Sequence, residues 1–402
     1  MNAVGIDVSK GKSMIAVMRP FGEVVVSPFE VQHTGSELSE LAKRLKSLDG
    51  ETRVVMEYTG NYHAPIARTL QNAGIYVSVV NAMLVHDYGN NSLRRAKTDK
   101  KDAIKLANYA LDHWLSLPRY FPEEDTRLML KNCYRQYEQY SKLRTMLKNN
   151  LISLLDQTFP GVNRLFSSLR RADGSEKWID FASDFWHSEC VSILTEKRFS
   201  LRYQKWCKKN GYNFSEKKAL DIYTCAHGHI GVIPKTDTAK LLVKQAVSQL
   251  QATSTALSTL QQEMQALAAS LPEYDVVMQM YGVGPSLGPQ LMAEIGDVRR
   301  FHSKKALVAF AGIDAPPYQS GQFNVQSRRI SKRGSSSLRR TLFILMGVIL
   351  QNSPADEPVY QFMDKKRSEG KPYKVYMIAS SNKFLRIYYA RVKAYLDLIE
   401  TP

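Results

Sequence analysis

Paired cysteines are missing. Cys133, Cys190, Cys207 and Cys225 are scattered over 402 residues with no CxxC spacing. That excludes a disulfide scaffold and suits the reduced thiols of a cytoplasmic protein. Cys225-Ala-His227-Gly-His229 has no second ligand pair, which argues against zinc, and it reads as a loop. No apolar run approaches the roughly 18 residues of a membrane span, so no membrane partner is expected. Met1-Asn-Ala-Val-Gly-Ile-Asp7 reaches a charge at once, so no signal peptide is expected. Low-complexity tracts and short repeats are absent. Acids are scarce beside bases, 38 against 55, which leaves a formal charge of +17. A polyanion is the implied partner. Nucleic acid is favoured over membrane, because neither terminus carries a basic amphipathic segment. The length suits two or three domains, and 44% hydrophobic residues suffice for real cores.

The N-terminal pattern predicts strands at 3–8, 13–18 and 22–29, with Pro20-Phe-Gly22 as a hairpin turn. A helix follows a Thr34/Ser36 start, carrying Leu38, Leu41, Ala42 and Leu45. Then come a strand at 53–57, a helix at 65–73 closed by Gly74, a strand at 75–80 and a helix at 99–115. A meander followed by alternating elements is an α/β domain with a mixed sheet, bounded at 1–120. Spaced leucines predict long helices at 126–156 and 237–270, the second free of Gly and Pro. Together they form a coiled-coil hairpin within 121–272, interrupted by an aromatic-rich, irregular insert at 157–235. Residues 273–402 read as mainly helical, with helices at 303–311 and 335–351 and a basic helical tail from 354.

Four acids fall in register with these elements. Asp7 ends the first strand, Glu57 ends the fourth, and Asp99 and Asp102 open the helix after the last. Positions i and i+3 share a helical face. Singly, each has a plain role as a strand-end residue, surface acid or helix cap. If the first and fourth strands are neighbours, all four carboxylates converge. Such a cluster needs a cation, and oxygen ligands select Mg²⁺, or Mn²⁺. Arg94, Arg95, Lys97, Lys100 and Lys101 beside them are candidates for holding nucleic acid. Gly5-Ile-Asp7 also opens sugar-kinase-like ATPases, but Glu57-Tyr-Thr-Gly60-Asn is the only nearby candidate for a phosphate loop.

A second candidate lies far downstream. Tyr318-Gln-Ser320-Gly321 follows Pro316-Pro317, a turn that exposes a serine hydroxyl. Bases cluster after it: Arg328, Arg329, Lys332, Arg333, Arg339 and Arg340 suit a phosphodiester backbone or a solvated face. Upstream, Tyr281-Gly-Val-Gly284 before a helix is similar to a helix-hairpin-helix phosphate site, or is a plain turn between helices.

These residues together resemble the insertion sequence 110 family of transposases. Gly5-Ile-Asp7-Val-Ser-Lys10, Glu57-Tyr-Thr-Gly60-Asn-Tyr62, Val79-Val-Asn81 and Lys97-Thr-Asp99-Lys-Lys-Asp102 match its N-terminal domain. Gly282-Val-Gly284, Phe310-Ala-Gly312, Tyr318-Gln-Ser320-Gly321 and Ile330-Ser-Lys-Arg-Gly334 match its C-terminal transposase domain. The 157–235 insert has no counterpart in compact members. The resemblance implies an α/β plus α architecture: a RuvC-like, RNase H-fold domain, coiled-coil arms and a helical domain with a catalytic serine. It implies a metal-binding set of Asp7, Glu57, Asp99 and Asp102, and a nucleophile at Ser320. It further implies donor and target DNA, a structured non-coding bridge RNA, and a homo-oligomer, a dimer of dimers with shared sites. Two other readings of the same residues stay open. One is a metal-dependent junction nuclease that uses water; the other is a nucleic-acid-binding protein with a relic acidic site.

Overall fold

The structure is a computed structural model. It describes residues 1–88, 98–122, 124–167, 171, 174–316, 319–320, 323–324 and 329–400. The chain divides into two compact units, Met1–Glu123 and Glu124–Pro402.

The first unit is built on five strands: β1 (Asn2–Ser9), β2 (Lys12–Met18), β3 (Val24–Gln32), β4 (Thr52–Glu57) and β5 (Tyr76–Val80). Among the described residues four helices accompany them: α1 (Gly35–Lys46), α2 (His63–Asn72), α3 (Ala82–Asp87) and α4 (Asp99–Asp112). The sheet order is β3-β2-β1-β4-β5. The β1–β2 and β2–β3 pairs are antiparallel, whereas β4 runs parallel to both β1 and β5. This is the mixed sheet that the meander and the alternation predict. Central β1 and β4 read as near-continuous apolar runs because both of their faces are covered. On one face Val4, Ile6 and Val54 pack with Leu38, Leu41 and Leu45 of α1 and with Ile66 and Leu70 of α2. On the other, Ala3 and Val55 pack with Leu106, Ala107 and Ala110 of α4. Helix α1 starts as expected, with the Thr34 hydroxyl accepting from the Glu37 N–H at 3.3 Å. The short α3 is an addition to the expected elements.

Gly5 sets how close α4 lies to the sheet. A Cβ there would stand 2.0 Å from the Ala103 carbonyl oxygen and 2.4 Å from the Ala107 nitrogen. The helix backbone therefore rests on the strand with no side chain between them, and the small residues Ala103, Ala107 and Ala110 continue the contact. Gly5→Ala is expected to destabilise this unit by about 3 kcal/mol, the upper part of the overpacking range, because backbone rather than a flexible side chain must yield. Gly35→Ala, at an open position in the first turn of α1, should leave stability unchanged or slightly raised. Denaturant titration of both variants checks this, and equal effects would refute the close-contact account.

The second unit is helical. Long helices α5 (Asp125–Thr158) and α10 (Asp237–Ala269) lie along one another. The start of α5 and the end of α10 enter one core, through Leu130, Tyr134, Met264 and Ala268. The end of α5 and the start of α10 enter another, through Leu151, Leu155, Val243 and Val247. The two helices are therefore antiparallel. At the first core, buried Arg127 donates through both terminal nitrogens to Glu273, tying the start of α5 to the residues after α10.

The segment between them differs from the irregular globule expected. It folds as α6 (Lys177–Asp184), α7 (Glu189–Ser192), α8 (Glu196–Lys209) and α9 (Glu216–Gly228). The aromatic residues recur at helical spacing over runs too short to stand out: Trp178, Phe181 and Phe185, then Phe199, Tyr203 and Trp206. Hydroxyls of Thr195 and Ser215 cap α8 and α9. The rings meet in one core, with Phe181 stacked on Phe185 and Tyr203 on Trp206. Buried Glu176 joins the insert to α5. It accepts from the Trp178 indole at 2.7 Å and pairs with Arg144 and Lys148. Burial raises its pKa, but these donors outweigh burial and hold it below the ordinary carboxylate range. Cys225 and His227, expected in a loop, lie in the last turn of α9. The Cys225 thiol donates to the Pro160 carbonyl at 3.3 Å.

Around the first core are α11 (Tyr274–Met278), α12 (Leu287–Ile295), α13 (Lys304–Ala311), α14 (Ser336–Asn352), α15 (Pro358–Ser368) and α16 (Tyr373–Glu400). A two-stranded ladder, β6 (Gln319–Ser320) with β7 (Phe323–Asn324), lies between α13 and α14 in sequence. Among the described residues no helix is long and apolar enough to cross a membrane.

Candidate active site

The expected adjacency of the acid-bearing strands is present. Ile6 of β1 pairs with Met56 of β4, so the next residues, Asp7 and Glu57, lie side by side on neighbouring parallel strands. Glu57 ends β4, whereas Asp7, expected to end the first strand, stands two residues before the end of β1 because the ladder with β2 continues to Ser9. Side chains alternate along a strand. Asp7 thus shares the face of Ala3 and Gly5, and Glu57 that of Val55, which is the face covered by α4. Helix α4 begins at this same end of the sheet. Lys12, opposite Ser9 in the β1–β2 ladder, has its pKa raised chiefly by the hydrogen bond from its ammonium to Glu30, and the charge of Asp99 adds to the effect. Thr98 caps α4, accepting from the Lys101 N–H at 3.3 Å, which leaves Asp99 and Asp102 in the first turn. Asp7, Glu57 and Asp102 are half-buried, and Asp99, Lys100 and Lys101 are exposed. Neither Asp7 nor Glu57 is without an interaction. The acids therefore gather at one edge, but among the described residues no three His, Cys, Asp or Glu side chains form a ready-made metal cage.

The serine-bearing segment has a closed neck. It leaves α13 at Gly312, whose φ of 65° is left-handed and favours glycine. It returns at Gly334, where a Cβ would stand 2.2 Å from the Phe310 carbonyl oxygen. Backbone hydrogen bonds close the gap: the Lys332 N–H to the Gly312 carbonyl at 3.0 Å, Ser331 to Asp314 at 2.8 Å, and Ser335 to Phe310 at 2.8 Å. The Ser331 hydroxyl also donates to the Asp314 carboxylate at 2.5 Å. Arg339 donates to the Ala311 carbonyl at 3.0 Å and to that of Gly334 at 3.2 Å, bridging both sides. Beyond the neck, Ser320 pairs with Phe323 across the β6–β7 ladder, with residues 321 and 322 between them.

A buried polar network stands behind the neck. Glu294 of α12 accepts from the Ser335 hydroxyl, the cap of α14, and pairs with Arg135 of α5 at 2.8 Å. Arg135 also donates to the Ser337 hydroxyl at 3.1 Å, and Ser337 donates to Glu138 at 2.6 Å. Tyr134 and Thr341 share a hydrogen bond of 3.0 Å. Burial, with the charges of Glu138 and Glu294 close by, pushes the Tyr134 hydroxyl far above its ordinary range, so it stays a neutral donor. The root of the long α5 is thus fastened to the helix that receives the serine segment. Buried polar networks of this kind hold their members in one arrangement.

Comparison with known proteins agrees with both halves. The IS110-type DEDD transposase profile, described as Transposase, matches residues 4–160. A second, described as Transposase IS116/IS110/IS902 family, matches residues 274–361. The chain belongs to the IS110 family of transposases. Similar relatives include a pilin gene-inverting protein of Moraxella bovis, 23% identical over 85% of this chain and 80% of the relative. The insertion element IS116 44.8 kDa protein of Streptomyces clavuligerus is 24% identical over 91% and 88%. The mini-circle putative transposase for IS117 of Streptomyces coelicolor is 29% identical over 77% and 73%.

In this IS110-family chain the first profile spans the acidic edge and α5, and the second spans α11 to the first half of α15, including the neck. Helices α6 to α9 lie outside both. Of the expected nucleic-acid ligands, Arg94, Arg95, Lys97 and Arg328 lie outside the described residues, as does Tyr318. Arg329, Lys332, Arg333 and Arg340 are exposed. Half-buried Arg339 serves the neck. Gly284, in the turn considered as a phosphate site, accepts through its carbonyl from the Gly288 N–H at 2.9 Å in the first turn of α12. The neck and the Glu294 network were not foreseen. Their signals were present as two glycines flanking the serine segment and a lone acid in the apolar run Pro289–Ile295.

The neck is testable by itself. Gly334→Ala should loosen it without unfolding the helical core, because only the Phe310 carbonyl region must shift. Limited proteolysis within residues 315–330 is expected to accelerate at least about tenfold, matching about 1.4 kcal/mol of local opening. Strand transfer should fall in parallel. Unchanged proteolysis would show that the neck does not hold the segment.

Proposed function

We propose that this transposase cleaves and rejoins DNA strands through a phosphoserine at Ser320, supported by the acidic edge of a RuvC-like, RNase H-fold unit and guided by a structured bridge RNA. The observation that carries the reading is that Asp7 and Glu57 stand side by side on adjacent parallel strands, on the face covered by α4. The strand order, with two antiparallel and then two parallel pairings, supports the RNase H-type assignment.

A serine hydroxyl is a weak nucleophile at neutral pH and needs activation. In the proposed step its oxygen attacks the phosphorus, an Oγ–P bond forms and one bridging P–O ester bond breaks. The serine proton passes to a carboxylate or to water, and the leaving strand oxygen takes up a proton. A strand hydroxyl later attacks the phosphoserine, restores the ester and releases serine. One ester is exchanged for another at each stage, so no nucleotide hydrolysis is required.

The carboxylates of Asp7, Glu57, Asp99 and Asp102 are a hard-oxygen donor set, which suits Mg²⁺ or Mn²⁺ better than a softer metal. When bound, the ion would neutralise phosphate charge and favour an ionised hydroxyl. Lys100, Arg329, Lys332, Arg333 and Arg340 are exposed and would hold phosphates of donor and target DNA or of the RNA. Their charge belongs to a chain with a net +17. The active form is proposed to be a dimer of dimers, with the serine of one subunit completing the acidic edge of another.

The test is direct. Asp7→Ala, Glu57→Ala, Asp99→Ala and Asp102→Ala should each abolish strand cleavage while thermal unfolding and nucleic-acid binding persist. Excess chelator should do the same to the parent protein. Cleavage that survives chelation, or survives in Asp102→Ala, would overturn the metal-dependent reading.

A further inference from the structure

Helix α8 of the insert carries Lys197, Arg198, Arg202, Lys205, Lys208 and Lys209 against a single acid, Glu196. All six bases are exposed. Arg198, Arg202, Lys205 and Lys209 follow one another by four, three and four residues, which places them along one stripe of the helix. The opposite side, Phe199, Tyr203, Trp206 and Cys207, is buried in the insert core. Among the described residues none of the six bases is ion-paired with an acid of this chain. Arg202 lies over the Phe185 ring at 5.2 Å. A solvated helix face in a stable protein ordinarily intersperses both signs. This one is five charges positive over 14 residues.

We propose that α8 is a docking surface for the phosphate backbone of duplex DNA, a contact separate from the acidic edge and the serine neck. It rests on the family's DNA substrate class and on no step of the cleavage chemistry. From residue 198 to 209 the helix rises about 16 Å, enough to face about five phosphates of one strand at 3.4 Å each. Single strands are disfavoured because they are held by stacking on exposed rings. Here the rings of α8, Phe199, Tyr203 and Trp206, are in the core; elsewhere in the insert Phe166, Tyr212 and Tyr223 are half-buried and Phe214 is 36% exposed. Duplex RNA is read through its 2′-hydroxyls by polar groups as well as by charge. Over residues 201–209 the exposed face offers one amide, Gln204, and no hydroxyl. Backbone charge with little base or sugar recognition is the signature of sequence-independent DNA binding. The insert would thus hold DNA alongside the exchanged site without reading it.

The experiment uses the full chain without guide RNA. Binding to a short duplex DNA of arbitrary sequence is followed by fluorescence anisotropy across a salt series. The variant is Arg198→Gln/Arg202→Gln/Lys205→Gln/Lys209→Gln, and a parallel arm uses an RNA duplex of the same length. Near-UV circular dichroism of the insert tryptophans checks that the core is intact. The slope of log K against log salt should become shallower by about 3–4 if all four bases meet phosphates. Lys43→Gln/Lys46→Gln, on exposed positions of α1, should change it by less than about 1. An unchanged slope, a loss no greater per charge than in that control, or a loss confined to the RNA duplex would overturn the proposal. Cleavage is not read, so failure of the serine mechanism would leave this result intact.

Discussion

The contact of α4 with β1 at Gly5 is the constraint on which the acidic edge depends. Two backbones meet there with no side chain between them. Any larger residue would lift the first turn of α4, and with it Asp99 and Asp102, from the strand that carries Asp7. The parallel pairing of β1 with β4 then fixes Glu57 beside Asp7 by register alone. Four acids separated by as many as 95 positions in sequence are thereby brought toward the same end of the sheet's central strands. Helix packing distance and strand register do this, with no dedicated linker between the acids.

The second unit uses the same device differently. At Gly334 the backbone passes so close to Phe310 that only glycine fits, and Gly312 supplies a left-handed turn. The result is a neck with a short hairpin beyond it. Behind the neck, Glu294 receives a hydroxyl from the α14 cap and a guanidinium from α5. Burying that carboxylate without both partners would be costly. The network therefore couples the position of the serine segment to the root of the long helix pair.

Much of this was legible in the chain. The meander, the alternating elements and the apolar runs of β1 and β4 specify a mixed sheet, because short apolar runs bounded by turns and separated by helical patterns leave few alternatives. The acids were legible as a set only once their elements were ordered, since each alone resembles a cap or strand end. The insert was misread because its helices are short and its aromatic residues suggest irregularity until their spacing is set beside the Thr195 and Ser215 caps. The neck was not legible. Close approach of Gly334 to Phe310 is tertiary, so the two glycines flanking the serine segment mark turns without showing that they meet. Arg339, one base among many in sequence, proves to be a clamp because two carbonyls happen to face it.

The central claim is that one serine carries the covalent bond and that the acidic edge enables it. The measurement is peptide mapping of protein–DNA adducts trapped during cleavage, in the parent protein and in Asp7→Ala. The account predicts phosphodiester-linked peptides modified at Ser320 in the parent and none in Asp7→Ala. Modification at Tyr318, adducts persisting in Ser320→Ala, or cleavage without any adduct would contradict it.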